Sequence, residues 1–148
     1  MPQRSMHSPI GDLTISAEDG ALVALDWGWA RDQSSDALLD RAKAQLEAYF
    51  DGKAETFDLP LSPAGTAFQQ RVWTLMQTIS YGKTMSYGEM ADTLSSAARA
   101  VGMACGANPI PVIIPCHRVL AASGMGGYSG EGGVETKVAL LRLEGVLL

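Results

Sequence analysis

The sequence predicts a mixed α/β (α+β) protein made of two lobes, a small β-sheet with a helix followed by a mainly helical lobe. Between residues 8 and 27, apolar and polar residues alternate around a tight turn at Asp19-Gly20, a pattern typical of a β-hairpin or meander. Beyond that region, apolar residues recur at helical spacing in several separate segments. The 148 residues, 47% of them hydrophobic, suffice for one packed core or two small lobes.

The lobe boundary is expected between Lys53 and Pro63, because this proline-containing stretch is typical of an extended connection. We therefore assign residues 1–63 to an N-terminal α/β lobe and residues 64–148 to a second lobe.

The predicted helices share an apolar stripe, and serine residues are the candidate N-caps of three of them. Ser34 or Ser35 is expected to cap the first helix, and Ser95 or Ser96 the fourth. Ser86, with Glu89 three residues later, forms a capping box for the third. The third and fourth helices form a helix-turn-helix pattern, which is weak evidence alone because most short helix pairs simply pack together. The helices are expected at about residues 35–50, 65–80, 86–94, 96–107 and 134–143.

The net charge of −5 is unevenly distributed. The first lobe has five basic and eleven acidic side chains, a net charge of −6, whereas the second has six and five, a net charge of +1. Phosphate neutralisation normally drives binding to DNA. Any DNA affinity of this chain should therefore be modest, salt-sensitive and assisted by inserted side chains.

Composition also excludes several classes of protein. No stretch approaches the roughly 18 apolar residues of a membrane span, and the first residues lack the apolar segment of a secretory signal, so we expect a cytoplasmic protein that binds no membrane. Two cysteines and two histidines without paired motifs predict no metal site. A reducing cytoplasm argues against a disulfide between Cys105 and Cys116.

The segment Pro115-Cys116-His117-Arg118-Val119 places a nucleophile and a base after the apolar run 111–114, which we expect to be a short strand. A thiolate attacks carbon, and a neighbouring base or cation can generate it. Taken alone, such a cysteine is more often an inert buried residue, and His117 could simply cap the strand. Glu144 is the distant acid that could orient His117, or else a solvated charge at a helix end.

The context of this segment is specific. The chain contains the following motifs in order: Ser8-Pro9-Ile10-Gly11, Phe68-Arg71-Val72-Trp73, Asn108-Pro109-Ile110-Pro111, Ile114-Pro115-Cys116-His117-Arg118-Val119, Gly126-Gly127-Tyr128-Ser129-Gly130 and Leu143-Glu144-Gly145. In these motifs and their order, the chain resembles the methylated-DNA-protein-cysteine methyltransferases, also called O6-alkylguanine-DNA alkyltransferases. The resemblance covers about Ser8 to Gly145.

The resemblance implies a ribonuclease H-like first lobe and a winged helix-turn-helix-like second lobe that binds DNA and accepts the alkyl group. It implies a DNA repair protein that flips O6-alkylguanine out of double-stranded DNA and transfers the alkyl group irreversibly to Cys116, once per molecule. O4-alkylthymine is a further candidate substrate. No cofactor and no metal are implied, and we expect a monomer.

By the same resemblance, Cys116, a water molecule, His117 and Glu144 form a proton relay, and Arg118 holds the active loop. Asn108 ties the recognition helix to the segment that carries the cysteine. Sequence neighbours on a strand point to opposite faces, so a water is expected between Cys116 and His117.

The family's DNA-binding residues match Arg99, inserted in the minor groove, with Tyr87 and the small residues Ala98, Ala100 and Gly102. The base pocket matches Tyr87, Val119, Tyr128 and Ser129. Without the resemblance, Arg99 would be an ordinary solvated side chain. Cys105 is expected to pack rather than act as a second nucleophile.

The sequence departs from the family in the turn before Arg99, which is two residues shorter than in the family and should be tight. Two rival functions remain at this point. The first is a lesion sensor that binds the damaged base without accepting the alkyl group; proteins of that kind resemble this chain but lack the cysteine. The second is a cysteine hydrolase, which would need an oxyanion site that the sequence does not reveal.

Overall fold

The computed structural model describes residues 1–121, 124–128, 130 and 132–147. The chain divides into two compact units, Met1–Ala64 and Gly65–Leu148. No helix in the described part of the chain is both long and apolar enough to span a membrane.

The first unit is an antiparallel three-stranded sheet with one helix packed on it. The strands β1 (Gln3–Met6), β2 (Leu13–Glu18) and β3 (Ala21–Trp27) follow in sequence order. The predicted turn between β2 and β3 is confirmed: Asp19 and Gly20 both have positive φ, of 51° and 79°, as a two-residue hairpin loop requires. β1 lies before the predicted strand region and was missed, because its four residues carry no clear alternation.

Helix α1 (Ala37–Phe50) turns a face of Leu39, Ala42, Leu46 and Tyr49 into the core. Its N-cap is Asp36, whose side chain accepts a hydrogen bond from the Leu39 amide at 3.1 Å, so the prediction of Ser34 or Ser35 is wrong. Ser34 is engaged elsewhere: its amide donates to the Gln3 carbonyl, and its hydroxyl accepts from the Gln3 amide. The connection that follows lies extended along β3, where the Leu22 amide donates to the Pro60 carbonyl and the Leu22 carbonyl accepts from the Ser62 amide.

The second unit is mainly helical. Helices α2 (Ala67–Met76), α3 (Tyr87–Leu94) and α4 (Ala98–Gly106) pack against one another. Two-residue strands β4 (Met85–Ser86) and β5 (Val119–Leu120) pair in parallel, and α5 (Val134–Leu143) packs on the residues that precede β5. Trp73 of α2 is buried, and its indole nitrogen donates to the Ala104 carbonyl at 2.8 Å.

The helix-turn-helix pattern is formed by α3 and α4. The Ser86–Glu89 capping box is confirmed by both of its hydrogen bonds. Ser95 and Ser96 do not cap α4, however: Ser95 ends α3 in the left-handed conformation (φ 52°), and both amides bond back to carbonyls of α3. The turn is only three residues long, and α4 begins at an N-cap alanine, Ala97, without a side-chain hydrogen bond.

The apolar run before Cys116 is not a strand, which corrects the prediction. Prolines at positions 109, 111 and 115 remove amide donors, and Val112 has a φ of 73°, which a strand cannot contain. Pro115 (φ −82°, ψ 68°) is the centre of an inverse γ-turn in which the Cys116 amide donates to the Ile114 carbonyl at 2.8 Å. Cys116 then begins a single 3₁₀ turn, Cys116–Arg118, that leads into β5.

A methyl group at Gly65 should destabilise the second unit. A Cβ atom there would overlap Cη2 and Cζ3 of Trp73, a buried ring that its hydrogen bond to Ala104 prevents from moving. We expect Gly65→Ala to lower the free energy of unfolding by about 1–3 kcal/mol, the usual cost of overpacking.

The control is Gly88→Ala, because a Cβ at Gly88 meets only the Ser86 hydroxyl, at 3.8 Å. This change replaces glycine within α3 and should leave stability equal or raised. Urea denaturation of both variants measures the difference, and equal midpoints would contradict the assigned packing.

Candidate active site

Cys116 lies at the wall of a cavity in the second unit. Cys116 is 5% exposed and borders this cavity, which has a volume of about 420 Å³. The lining consists of four side chains and three glycines: Tyr87, Cys105, Cys116 and Tyr128, with Gly102, Gly106 and Gly127. Among the described residues, the glycines leave space beside the sulfur on the side of α4 and of the 124–128 loop.

The 3₁₀ turn directs the side chains of Cys116 and His117 to different sides. With three residues per turn, neighbouring side chains diverge by about 120°, so the expected divergence holds although its predicted cause, a strand, does not. His117 is completely buried, and its Nε2 lies 2.6 Å from Oε2 of Glu144.

Glu144 is buried at the end of α5, so the alternative of a solvated charge is wrong. Its carboxylate also accepts from the Arg118 guanidinium, with Nε to Oε1 at 2.8 Å and Nη2 to Oε2 at 3.0 Å. The third guanidinium nitrogen, Nη1, donates to the Ile79 carbonyl at 2.7 Å. Arg118 thereby compensates the buried charge and holds a backbone carbonyl, as its predicted structural role requires.

Burial determines the protonation state of His117. Desolvation lowers the pKa of His117, against the opposing effect of Glu144, so the ring is neutral at pH 7. A neutral ring that donates from Nε2 to Glu144 carries a lone pair on Nδ1. Among the described residues Nδ1 has no hydrogen-bond partner, so it is available as a base.

The thiol itself is protonated at rest. Desolvation raises the pKa of Cys116, although the Asn108 side chain, Lys137 and the amides of residues 116 and 117 act in the opposite direction. The neighbours therefore lower this pKa, as expected, but desolvation outweighs them, so the expectation of an ionised sulfur is wrong for the resting protein. These four groups instead form a set of donors and charge that stabilises a thiolate once the proton is removed.

Asn108 joins two parts of the site. Its side-chain nitrogen donates to the Ile114 carbonyl at 2.8 Å, and its oxygen accepts from the Ile110 amide at 3.0 Å. The end of α4 is thus fixed to the segment that carries Cys116, as expected, although that segment is a series of turns.

Lys137 was missed by the sequence analysis. It is completely buried on α5, and its ammonium donates to the Val119 carbonyl at 2.6 Å and to the Gly127 carbonyl at 3.0 Å. It also lies 5.9 Å from the centre of the Tyr87 ring. Burial lowers the pKa of Lys137, while the two thiols act to raise it. The local sequence gives no signal that this lysine is buried, because only the tertiary fold places the 124–128 loop over it.

The other predicted residues lie as follows. Tyr87 and Tyr128 line the cavity, and burial raises the pKa of both. Val119 is buried, and its carbonyl accepts a hydrogen bond from Lys137. Ser129 lies outside the described residues. Cys105 lines the cavity and packs on Met76, with 3.7 Å between the sulfur atoms, and burial raises the pKa of Cys105 to about 12.

Four of the five residues predicted to contact DNA lie on α4, whereas Tyr87 begins α3. Ala98 and Arg99 are exposed at the start of α4, and Ala100 and Gly102 are partly exposed. Within the described ranges, no group of three or more Cys, His, Asp or Glu side chains is arranged to hold a metal ion.

Removing the Lys137 charge should make Cys116 less reactive. In Lys137→Met the pKa of Cys116 should rise further, since the ammonium lowers it in the parent protein. The pH midpoint of Cys116 alkylation by a small neutral thiol reagent, followed by peptide mass, should move upward. Lys83→Met removes an exposed lysine of the same unit and should leave the midpoint unchanged. A thermal melt separates this effect from unfolding, and equal midpoints in both variants would exclude an electrostatic role for Lys137.

Comparison with known proteins assigns the family of both units. Residues 1–63 match the family model described as the ribonuclease-like domain of 6-O-methylguanine DNA methyltransferase, and residues 67–146 match the model of its DNA-binding domain.

Curated relatives agree along nearly the whole chain. A methylated-DNA–protein-cysteine methyltransferase of Mycobacterium tuberculosis is 46% identical, covering 95% of this chain and 90% of the relative. One of Methanosarcina acetivorans is 40% identical, covering 94% and 95%.

Solved structures agree as well. The Mycobacterium tuberculosis OGT crystallised in complex with DNA superposes with a TM-score of 0.88 at 46% identity, covering 97% of this chain and 92% of that chain. An O6-methylguanine DNA methyltransferase from Methanococcus jannaschii superposes with a TM-score of 0.70 at 27% identity, covering 97% and 94%. Both units match, the curated relatives are similar over most of their length, and the fold is shared, so this chain belongs to the methylated-DNA–protein-cysteine methyltransferase family.

Proposed function

We propose that this protein repairs O6-alkylguanine in double-stranded DNA by transferring the alkyl group irreversibly to the sulfur of Cys116. One observation carries the proposal: a cysteine at the wall of an open cavity stands next to a buried histidine whose Nδ1 is an available base, held by a carboxylate with its own counter-charge.

The reaction is a displacement at saturated carbon. The sulfur–carbon bond forms as the bond from carbon to O6 breaks, and the thiol proton passes to Nδ1 of His117. Because the two side chains diverge from the 3₁₀ turn, a water molecule carries the proton between them. Glu144 stabilises the imidazolium that results, as a carboxylate does behind a catalytic histidine. The departing guanine then takes up a proton from the relay.

The transfer occurs once per molecule. Removing the alkyl group from the thioether would require an alkyl thiolate to leave, and an alkyl thiolate is a poor leaving group, so the methylated sulfur has no route back to a thiol. No metal or cofactor takes part, since displacement needs only the nucleophile, a base and a proton donor for the leaving group. Every residue of the site lies between Tyr87 and Glu144, within the second unit, so one copy of the chain suffices and we propose that it acts as a monomer in the cytoplasm.

The target base must leave the duplex to reach Cys116. We place α4 against the DNA minor groove, with Arg99 filling the position of the extruded nucleotide and Ala98, Ala100 and Gly102 allowing the helix close to the sugar–phosphate backbone. Tyr87 and Tyr128 then enclose the extruded base, with Ser129 and Val119 contributing to its pocket. O4-alkylthymine is a second candidate for the same pocket.

Intact-mass measurement tests the reaction. After incubation with a duplex containing one O6-methylguanine, the protein should gain the mass of one methyl group, and the labelled peptide should contain Cys116. Cys116→Ala should gain nothing while still binding the duplex. An unchanged mass in the parent protein, with binding retained, would identify a lesion sensor and refute the proposal, whereas repeated release of product would indicate a hydrolase.

The pH dependence tests the relay. Burial lowers the pKa of His117 from 6.5, so the ring stays neutral, and able to accept a proton, below pH 6.5. The rate constant of transfer should be level from about pH 8 down to 6.5 and fall only below that. If the reaction instead depended on prior ionisation of Cys116, whose pKa burial raises from 9.0, the rate would rise continuously through pH 9.0.

Variants of the relay complete this test. His117→Ala should lose the level region and react about 10²-fold or more slowly, the usual contribution of a general base. Glu144→Gln should show the same two effects to a smaller extent, because the amide keeps the shape of the carboxylate but not its charge. A level profile that persists in His117→Ala would remove His117 from the mechanism.

A further inference from the structure

We propose that Met103 is a second DNA-inserting residue, an apolar wedge that packs against the bases and sugars beside the extruded nucleotide. The inference rests on the proposed function, since it concerns the duplex from which that nucleotide is taken.

Met103 lies on the solvent-facing side of α4. Val101, Ala104 and Cys105 form the buried side of this helix. Met103 is 71% exposed, more than Val134, the other large hydrophobic residue exposed in the described part of this unit, at 44%. Single exposed apolar residues are common on protein surfaces, so the position of Met103, rather than its exposure alone, carries the argument.

That position is on the same stripe as Arg99 and at the rim of the cavity. Arg99, Gly102, Met103 and Gly106 are spaced i, i+3, i+4 and i+7, and therefore share one face of the helix. Gly102 and Gly106 both line the cavity that contains Cys116. Met103 thus lies between an arginine assigned to the DNA gap and the mouth through which the base must enter.

The surroundings make Met103 prominent. Its stripe neighbours Gly102 and Gly106 have no side chain beyond hydrogen, and a Cβ at Gly106 would meet nothing within 4 Å. Between Arg99 and the mouth of the cavity, Met103 is therefore the side chain that a duplex lying close to this face would meet. Methionine is flexible and polarisable, and it is among the apolar residues that proteins wedge between base steps in the minor groove.

Charge supports an apolar contribution. The second unit has a net charge of only +1, so phosphate neutralisation supplies little of the binding free energy. An apolar wedge contributes affinity that does not depend on counterion release, and it stabilises the opened base step after extrusion.

The test compares Met103→Ala, Met103→Gln and Met103→Leu. Rate constants are measured with a duplex containing O6-methylguanine and with free O6-benzylguanine, whose benzylic carbon is reactive in displacement without any DNA. For Ala and Gln, the ratio of the duplex rate to the free-base rate should fall about tenfold, the effect of losing a few buried methylene groups. Leu should retain most of the parent ratio.

Salt dependence separates the wedge from a cation. For an unmodified duplex, Met103→Ala should raise Kd without changing the slope of log Kd against log salt concentration, whereas Arg99→Ala should reduce that slope by about one. Val134→Ala is the matched control for an exposed apolar residue and should behave as the parent protein.

The inference is overturned if the Ala and Gln variants keep the parent ratio, or if both rates fall together, which would indicate a disturbed site. It is also overturned if Met103→Gln binds as well as Met103→Leu. Should the parent protein react with neither substrate, the proposed function fails, and the Kd values for the unmodified duplex still decide whether Met103 contacts DNA.

Discussion

The buried carboxylate of Glu144 is the constraint on which the rest of the site depends. A charge with so little solvent access must be compensated, and three groups do so: His117 and Arg118 of the 3₁₀ turn, and the Gly82 amide, which donates to Oε1 at 3.4 Å. The same contacts fix the end of α5 to the segment that carries Cys116. Structural support and proton relay are therefore one network, and a change in either affects both.

Burial explains how a reactive cysteine can persist until it is used. Desolvation raises the pKa of Cys116, so the resting group is a thiol, and thiols oxidise more slowly than thiolates. Donors that favour the thiolate are already in place, from Asn108, Lys137 and the backbone amides. The thiolate therefore forms only when a base accepts the proton. This property suits a protein whose nucleophile is consumed in one reaction.

Local features of the fold were predictable because neighbouring residues determine them. The Asp19-Gly20 hairpin and the Ser86–Glu89 capping box depend on conformational preference and on hydrogen bonds that span three residues. Predictions failed where a distant partner competed. Ser34 could not cap α1 because it pairs with β1, and the run before Cys116 became a series of turns because its prolines leave too few amide donors for a strand.

By itself, the sequence determined the chemical groups of the site and their order along the chain. The cysteine, its neighbouring histidine and the distant glutamate are specific enough to indicate one kind of reaction. Only the tertiary structure decided how those groups behave. It buried Glu144 against Arg118, placed Lys137 under the loop near Gly127, and kept Cys116 protonated. The physical reason is that burial and electrostatic environment come from residues far apart in sequence, whose distances no local pattern encodes.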